Sequence, residues 1–144
     1  TAIAKASGDF PCILTTSRRT SPDFLPLLQR EAPSNLEIVP VEETGPTWVA
    51  ERLQEANFAW ISEDSVSMTY EALTAGCQVG LLEVSMRGEP GRVARGVAAL
   101  RRDGWATSFS DWSPGQALGR APKGFHEANR CAEAILERWF RGKA

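Results

Sequence analysis

WISEDSVSMTYEALTAGCQVGLL, residues 60–82, is the stretch whose reading decides the fold. With the two residues before it, FAWI (58–61) is an apolar run, and Glu63, Asp64, Ser65 and Ser67 follow at its carboxyl end. Met68, Ala72 and Leu73 then recur at helical spacing, and Gly76 stands where a helix C-cap belongs. VGLL (79–82) restarts as a strand. Strand, helix and strand in this order make a βαβ unit with parallel strands, and such sheets bind ligands at the carboxyl ends of their strands. The polar cluster 63–71 lies at that end, so a binding site is sought there first.

The same alternation extends in both directions. CILTTS (12–17) reads as a strand, SPDFLPLLQREA (21–32) as a helix with Phe24, Leu27 and Leu28 inward, and LEIVPV (36–41) as a second strand. Pro26 is unsuited to a helix interior, which moves the helix start toward Asp23 as N-cap and leaves Pro26 in the first turn. After the turn EETGP (42–46) comes an amphipathic helix, TWVAERLQEA (47–56), with Trp48, Val49, Leu53 and Ala56 on one side. Beyond residue 82, GRVARGVAALRRDG (91–104) reads as a helix with Val93, Val97 and Leu100 on one face, and WATSF (105–109) as a short edge strand.

SDWSPGQALGRAPKG (110–124) reads as a Pro/Gly-rich loop. FHEANRCAEAILERWF (125–140) is the last helix, with Phe125, Ala128, Ala132, Ile135, Leu136 and Trp139 inward. Residues 1–9 read as a linker remnant. The expected fold is α/β, a Rossmann-like parallel sheet with helices on both faces, forming one domain over residues 1–144.

Composition narrows the function classes. With 42% hydrophobic and 24% charged residues the chain is ordinary globular, and a net charge of −2 argues against a dedicated nucleic-acid partner. Cys12, Cys77 and Cys131 are odd in number and far apart, which favours reduced thiols and a cytoplasmic location over disulfides. No signal peptide is visible in residues 1–144, and no apolar run there reaches the ~20 residues that span a bilayer. A chain that starts at Thr1 and enters a strand almost at once is expected to be part of a longer protein.

Three strips carry candidate chemistry. Ser17, Arg18, Arg19 and Thr20 follow the first strand where a helix is expected to start, a setting that favours a phosphate or diphosphate. The alternative is a solvated basic turn with an N-cap. At 63–71, Ser65 and Ser67 offer donors and acceptors, and Glu71, one turn after Ser67, suits a vicinal diol such as a ribose. The alternative is a helix cap with exposed acids, and both remain open. EVSMRGEPGR (83–92) opens on the same edge and suits a cover over a sugar or base. His126, the sole histidine, reads as a surface polar residue. RWFRGKA, basic and aromatic, leaves peripheral membrane contact open beside core packing by Trp139 or docking on a missing domain.

Residues 63–79, EDSVSMTYEALTAGCQV, resemble the nucleotide-sugar-binding segment of two-domain GT-B glycosyltransferases. Glu63 and Glu71 have the glutamate separation of retaining members, with Ala72 and Gly76 in register, and Gln78 stands where proline is usual. Over nearly the whole chain, TTSRRTSPDF (15–24), the acidic turn 42–46, ISEDSVSM (61–68) and Asp111-Trp112 resemble the mitochondrial-fission (elongated mitochondria) family. That family is described both as glycosyltransferases and as nucleoside-diphosphate-sugar epimerases. GPTW (45–48) replaces its Asn-Pro-Tyr-like stretch.

The resemblance implies the C-terminal, donor-binding half of a GT-B fold. It implies Ser17, Arg18, Arg19 and Thr20 on the diphosphate of a nucleotide-sugar, and Ser65 and Ser67, with Asp64 beside them, on the phosphate and sugar side. It also implies Glu71 on the ribose and Glu63 toward the donor sugar. No metal and no cofactor are expected, since arginines and helix N-termini neutralise a leaving diphosphate. The acceptor and any catalytic base are expected from a missing N-terminal domain, so residues 1–144 alone would bind nucleotide weakly and turn over nothing.

The epimerase reading requires a G-x-G-x-x-G turn where SRRTS stands, and a lysine where Thr74 follows Tyr70. It is the weakest of the three. A non-catalytic interaction scaffold is the remaining alternative.

Overall fold

A computed structural model describes residues 1–84 and 92–140. The described residues form an α/β fold of parallel strands flanked by helices. They divide into two compact units, one of residues 1–49 with 113–116, the other of residues 50–112 and those from 117 on.

The smaller unit holds a two-stranded parallel sheet, β1 (Cys12–Thr15) beside β2 (Leu36–Val39), with Cys12 opposite Leu36 and Thr15 opposite Val39. Between them runs α2 (Phe24–Glu31) with Asp23 in the N-cap position and Pro26 in the first turn, where a missing N–H breaks no helical bond. Only Leu28 of its expected inward face is buried; Phe24 and Leu27 are 42% and 61% exposed. β2 stops two residues short of the expected 36–41. Pro40 cannot donate to the ladder, and residues Val41–Glu43 close into a 3-10 turn.

The linker expected at residues 1–9 is instead a short helix, α1 (Ala2–Ala6). Its stop is tied down from 31 positions away, because the Asn35 amide donates to the carbonyls of Ala4 and Gly8 (2.8 Å each).

The larger unit is built on β3 (Phe58–Ser62), β4 (Gln78–Leu82) and β5 (Ala106–Ser108), parallel and in that order. Central β4 is sealed at Val79, Gly80 and Leu81, as a strand covered on both faces must be. Helix α3 (Trp48–Glu55) precedes β3, and α4 (Val66–Ala75) joins β3 to β4. α4 ends on Gly76 at φ 87°, a left-handed conformation that glycine adopts without Cβ strain. Its Leu73, Ala72 and Thr69 are buried together with Cys77, whose thiol points at the Leu53 and Ala56 carbonyls at the end of α3. Burial pushes the Cys77 thiol pKa up. Helix α5 (Arg92–Arg102) buries Val97 and Leu100 and leaves Arg101 and Arg102 in solvent.

Trp60 faces Gly80 across the β3–β4 ladder, and its six-membered ring occupies the space a Cβ at Gly80 would need. The indole packs edge-on against Trp112 (5.1 Å between centroids) and Phe109 (5.7 Å). A second cluster joins Tyr70, Phe125 and Trp105.

The Pro/Gly-rich stretch after β5 contains a strap that extends the sheet at the start of its strands. The Val79 N–H donates to the Gly119 carbonyl (2.7 Å), the Leu118 N–H to the Gln78 side chain (3.1 Å) and the Gly119 N–H to the Thr107 hydroxyl (2.9 Å). Leu118 and Ala121 are buried beneath it.

The final helix, α6 (Glu127–Trp139), forms as expected, but its apolar face is not inward. Ile135 and Leu136 are each 54% exposed and Trp139 is 64% exposed, while Ala128 and Ala132 are exposed as well. Helical periodicity identifies the apolar side of a helix; burial also needs a second element to cover it. No helix among the described residues is long and apolar enough to cross a membrane. The expected cover at 85–91 and the terminal residues 141–144 lie outside the described residues.

Candidate functional site

In parallel α/β sheets the loops that leave the carboxyl ends of the strands share one edge, and each unit carries such a polar edge. In the smaller unit the chain leaves β1 through Thr16 and turns at once. The Thr20 N–H donates to the Ser17 carbonyl (2.9 Å), the Ser17 N–H to Thr20 Oγ1 (2.8 Å) and the Arg19 N–H to Ser17 Oγ (3.2 Å). Ser17 and Thr20 thus close a tight turn that presents Arg18 and Arg19 to solvent.

The reading that placed these four residues at a helix start is corrected here. α2 begins four residues after Thr20, and the turn's own hydroxyls, rather than a ligand, accept the Ser17 and Arg19 N–H groups. What remains for an anion is the exposed Arg18 guanidinium and the hydroxyl protons.

The neighbouring strand end completes this edge. The Val41 N–H donates to Thr16 Oγ1 (3.0 Å), which fixes the acidic 3-10 turn after β2 beside the hydroxyl turn after β1. A hollow of about 150 Å³ opens there, lined by Thr16, Ser17, Thr20, Ser21, Leu25 and Glu42. Glu42 belongs to the acidic turn, but no chemistry was assigned to it from sequence. The signal available was its place just after a strand.

In the larger unit β3 ends at Ser62, and the Glu63 N–H continues the ladder by donating to the Leu82 carbonyl (3.0 Å). The Ser65 N–H donates to the Ser62 carbonyl (2.8 Å), and the two serine hydroxyls lie 3.3 Å apart. Ser65 holds the N-cap position of α4, yet its hydroxyl makes no bond to the first-turn N–H groups, so this end of the helix is not closed by its own cap. Its carbonyl accepts instead from the N–H and hydroxyl of buried Thr69. Glu63 is half-buried; Asp64, Ser67 and Glu71 are exposed, with Glu71 one turn beyond Ser67 on the same helix face.

The ends of β4 and β5 add groups that sequence reasoning missed. Glu83 Oε1 accepts from the Ser110 hydroxyl (2.5 Å) and the Ser110 N–H (3.2 Å), and the hydroxyl bond is the main cause that holds the Glu83 carboxyl below the usual range. Asp111 pairs with Arg101 at 3.3 Å. The hydroxyl of Ser108, which ends β5, is buried with no hydrogen-bond partner among the described residues.

The expected residues therefore fall into two groups, Ser17 to Thr20 in the smaller unit and Glu63 to Glu71 in the larger one. His126 lies in neither. Its Nδ1 accepts the Asn129 N–H (3.3 Å) and caps α6. Tyr70, the residue an epimerase would need, stacks on Phe125. Among the described residues no three His, Cys, Asp or Glu side chains converge to hold a metal ion.

Residues 1–139 match the model of a protein family described as mitochondrial fission ELM1. No curated protein and no solved structure matches the chain.

Proposed function

The chain belongs to the mitochondrial fission ELM1 family, and from that premise we propose that it is the donor-binding domain of a larger, two-domain GT-B glycosyltransferase-like protein. Its ligand is the diphosphate and ribose of a nucleotide-sugar. The observation that carries this reading is that, in both units, the carboxyl end of a parallel strand runs straight into a hydroxyl-rich turn flanked by charged side chains. Nucleotides bind parallel α/β folds at such strand ends.

Arg18 and Arg19, with the hydroxyls of Ser17 and Thr20, take the diphosphate through charge-assisted hydrogen bonds. In the larger unit, the open N-terminus of α4, with Ser65 and Ser67, offers donors to a phosphate or sugar group. Glu71 accepts the ribose hydroxyls, and Glu63 turns toward the donor sugar. Asp64, exposed in the same turn, offers a further acceptor for sugar hydroxyls.

Calorimetry of residues 1–144 with UDP, GDP and their sugars tests the reading. Saturable binding is expected. Arg18→Ala and Glu71→Ala should each weaken it about tenfold, the scale of one hydrogen bond to a charged group. Transfer or donor hydrolysis by the chain alone would contradict its assignment as a donor-binding half.

The second reading, an interaction scaffold, is favoured by the exposed stripe of Ile135, Leu136 and Trp139 on α6. Absence of binding to every nucleotide, in this chain and in any longer form of the protein, would leave the scaffold standing.

A further inference from the structure

The hollow of the smaller unit is asymmetric in its hydrogen-bonding chemistry. Three of its hydroxyls already accept a backbone N–H: Thr16 from Val41, Ser17 from Arg19 and Thr20 from Ser17. A hydroxyl has one proton to give, and one that already accepts is best used as a donor. Ser17 and Thr20, with their oxygens 3.3 Å apart, share one proton between them, which still leaves donors from that pair, from Thr16 and from Ser21. Glu42, on the opposite strand's turn, lines the same hollow with a group that only accepts.

Inorganic phosphate meets the donors but is repelled by the carboxylate. A free sugar satisfies the carboxylate but leaves the hydroxyl donor set without an anion. A phosphoryl group esterified to a polyhydroxylated ring answers both. At about 150 Å³ the hollow is below the ~300–1,000 Å³ that encloses a whole small ligand, so it takes a group and not a nucleotide.

We propose that the hollow binds a phosphate ester of a polyol, with Glu42 as the specificity-determining acceptor for ring hydroxyls beside the phosphoryl group. This deepens the nucleotide-sugar reading and rests on it for the identity of the full ligand. The ring is either the transferred sugar or the ribose, which share this chemistry.

The test is an NMR titration of the whole chain and its Glu42→Gln variant with inorganic phosphate, glucose 1-phosphate and ribose 5-phosphate, read at the amides of residues 16–21 and 41–43. Glu42→Gln should weaken one ester about tenfold, the scale of a lost charge-assisted bond, and should tighten inorganic phosphate. A loss confined to glucose 1-phosphate assigns the hollow to the transferred sugar; one confined to ribose 5-phosphate assigns it to the nucleoside side. Equal changes for ester and phosphate, no change, or no ester binding at millimolar concentration overturns the proposal.

Titration with nucleotide-sugars separates the two claims. If they bind and Glu42→Gln has no effect, the hollow is wrong and the wider reading stands. If they fail to bind while the ester pattern holds, the reverse follows. Glu42 is exposed, and an unchanged amide spectrum away from the hollow verifies that the variant is folded.

Discussion

Val79, Leu81, Leu73 and Cys77 are fully sealed in the larger unit, whereas the smaller one buries only Ala4 and Leu28 among its described apolar residues. Both are made of parallel strands linked through helices, so the difference is one of coverage. β4 has a strand on either side and helices against it; β1 and β2 have only each other as ladder partners among the described residues. The polar edges differ in parallel. After β1 the turn closes on its own hydroxyls and α2 starts late, while after β3 the chain passes through Ser65 directly into α4. The same strand end can thus be finished by a self-contained turn or by an open helix.

The sharpest way to break this contrast is to cut matching leucines. Leu73→Ala should cost about 4 kcal/mol, near the upper end for buried leucines, and Leu28→Ala about 2, both read from urea unfolding by circular dichroism. Equal losses would show that the smaller unit is as tightly held as the larger.

Next in size is the strap. A Cβ at Gly119 would run into the backbone of Trp105 and Ala106, so Gly119→Ala should cost about 2 kcal/mol in thermal melts. A neutral result would mean the strap is not part of the larger unit's core.

The smallest effect is at Glu83. Its folded carboxyl titrates below the unfolded one, so its stabilisation is present above the unfolded value of about 4.3 and is lost as pH falls through the lower folded one. Because the group is exposed, the loss will be modest. Melting temperatures from about pH 6 down to about pH 3 should fall less steeply in Glu83→Gln than in the parent chain. Parallel curves would detach Ser110 from the stability of that edge.

The β3–α4–β4 segment was legible in the sequence because its signals are local: an apolar run, helical spacing, then Gly76 where a left-handed cap is required. What stayed hidden depends on partners far along the chain. α1 needs Asn35, Glu83 needs Ser110, and Gln78, which looks like a departure where proline is usual, is the anchor for Leu118. Patterning also identifies apolar sides without saying what covers them, which is why Phe24, Leu27 and the α6 stripe were expected inside. At the candidate site the residue types were legible, but the turn geometry was not. Nothing in SRRT announces that Thr20 will accept the Ser17 N–H, and Glu42 gains meaning only beside Thr16.

The Trp60–Gly80 pairing has a further consequence for how this strand pair can change over generations. A methyl at position 80 is excluded while the indole is in place, so any larger residue there must arrive after position 60 has shrunk. The two sites form an epistatic pair with a permitted order of substitution, and the aromatic contacts to Phe109 and Trp112 would be lost at the first step.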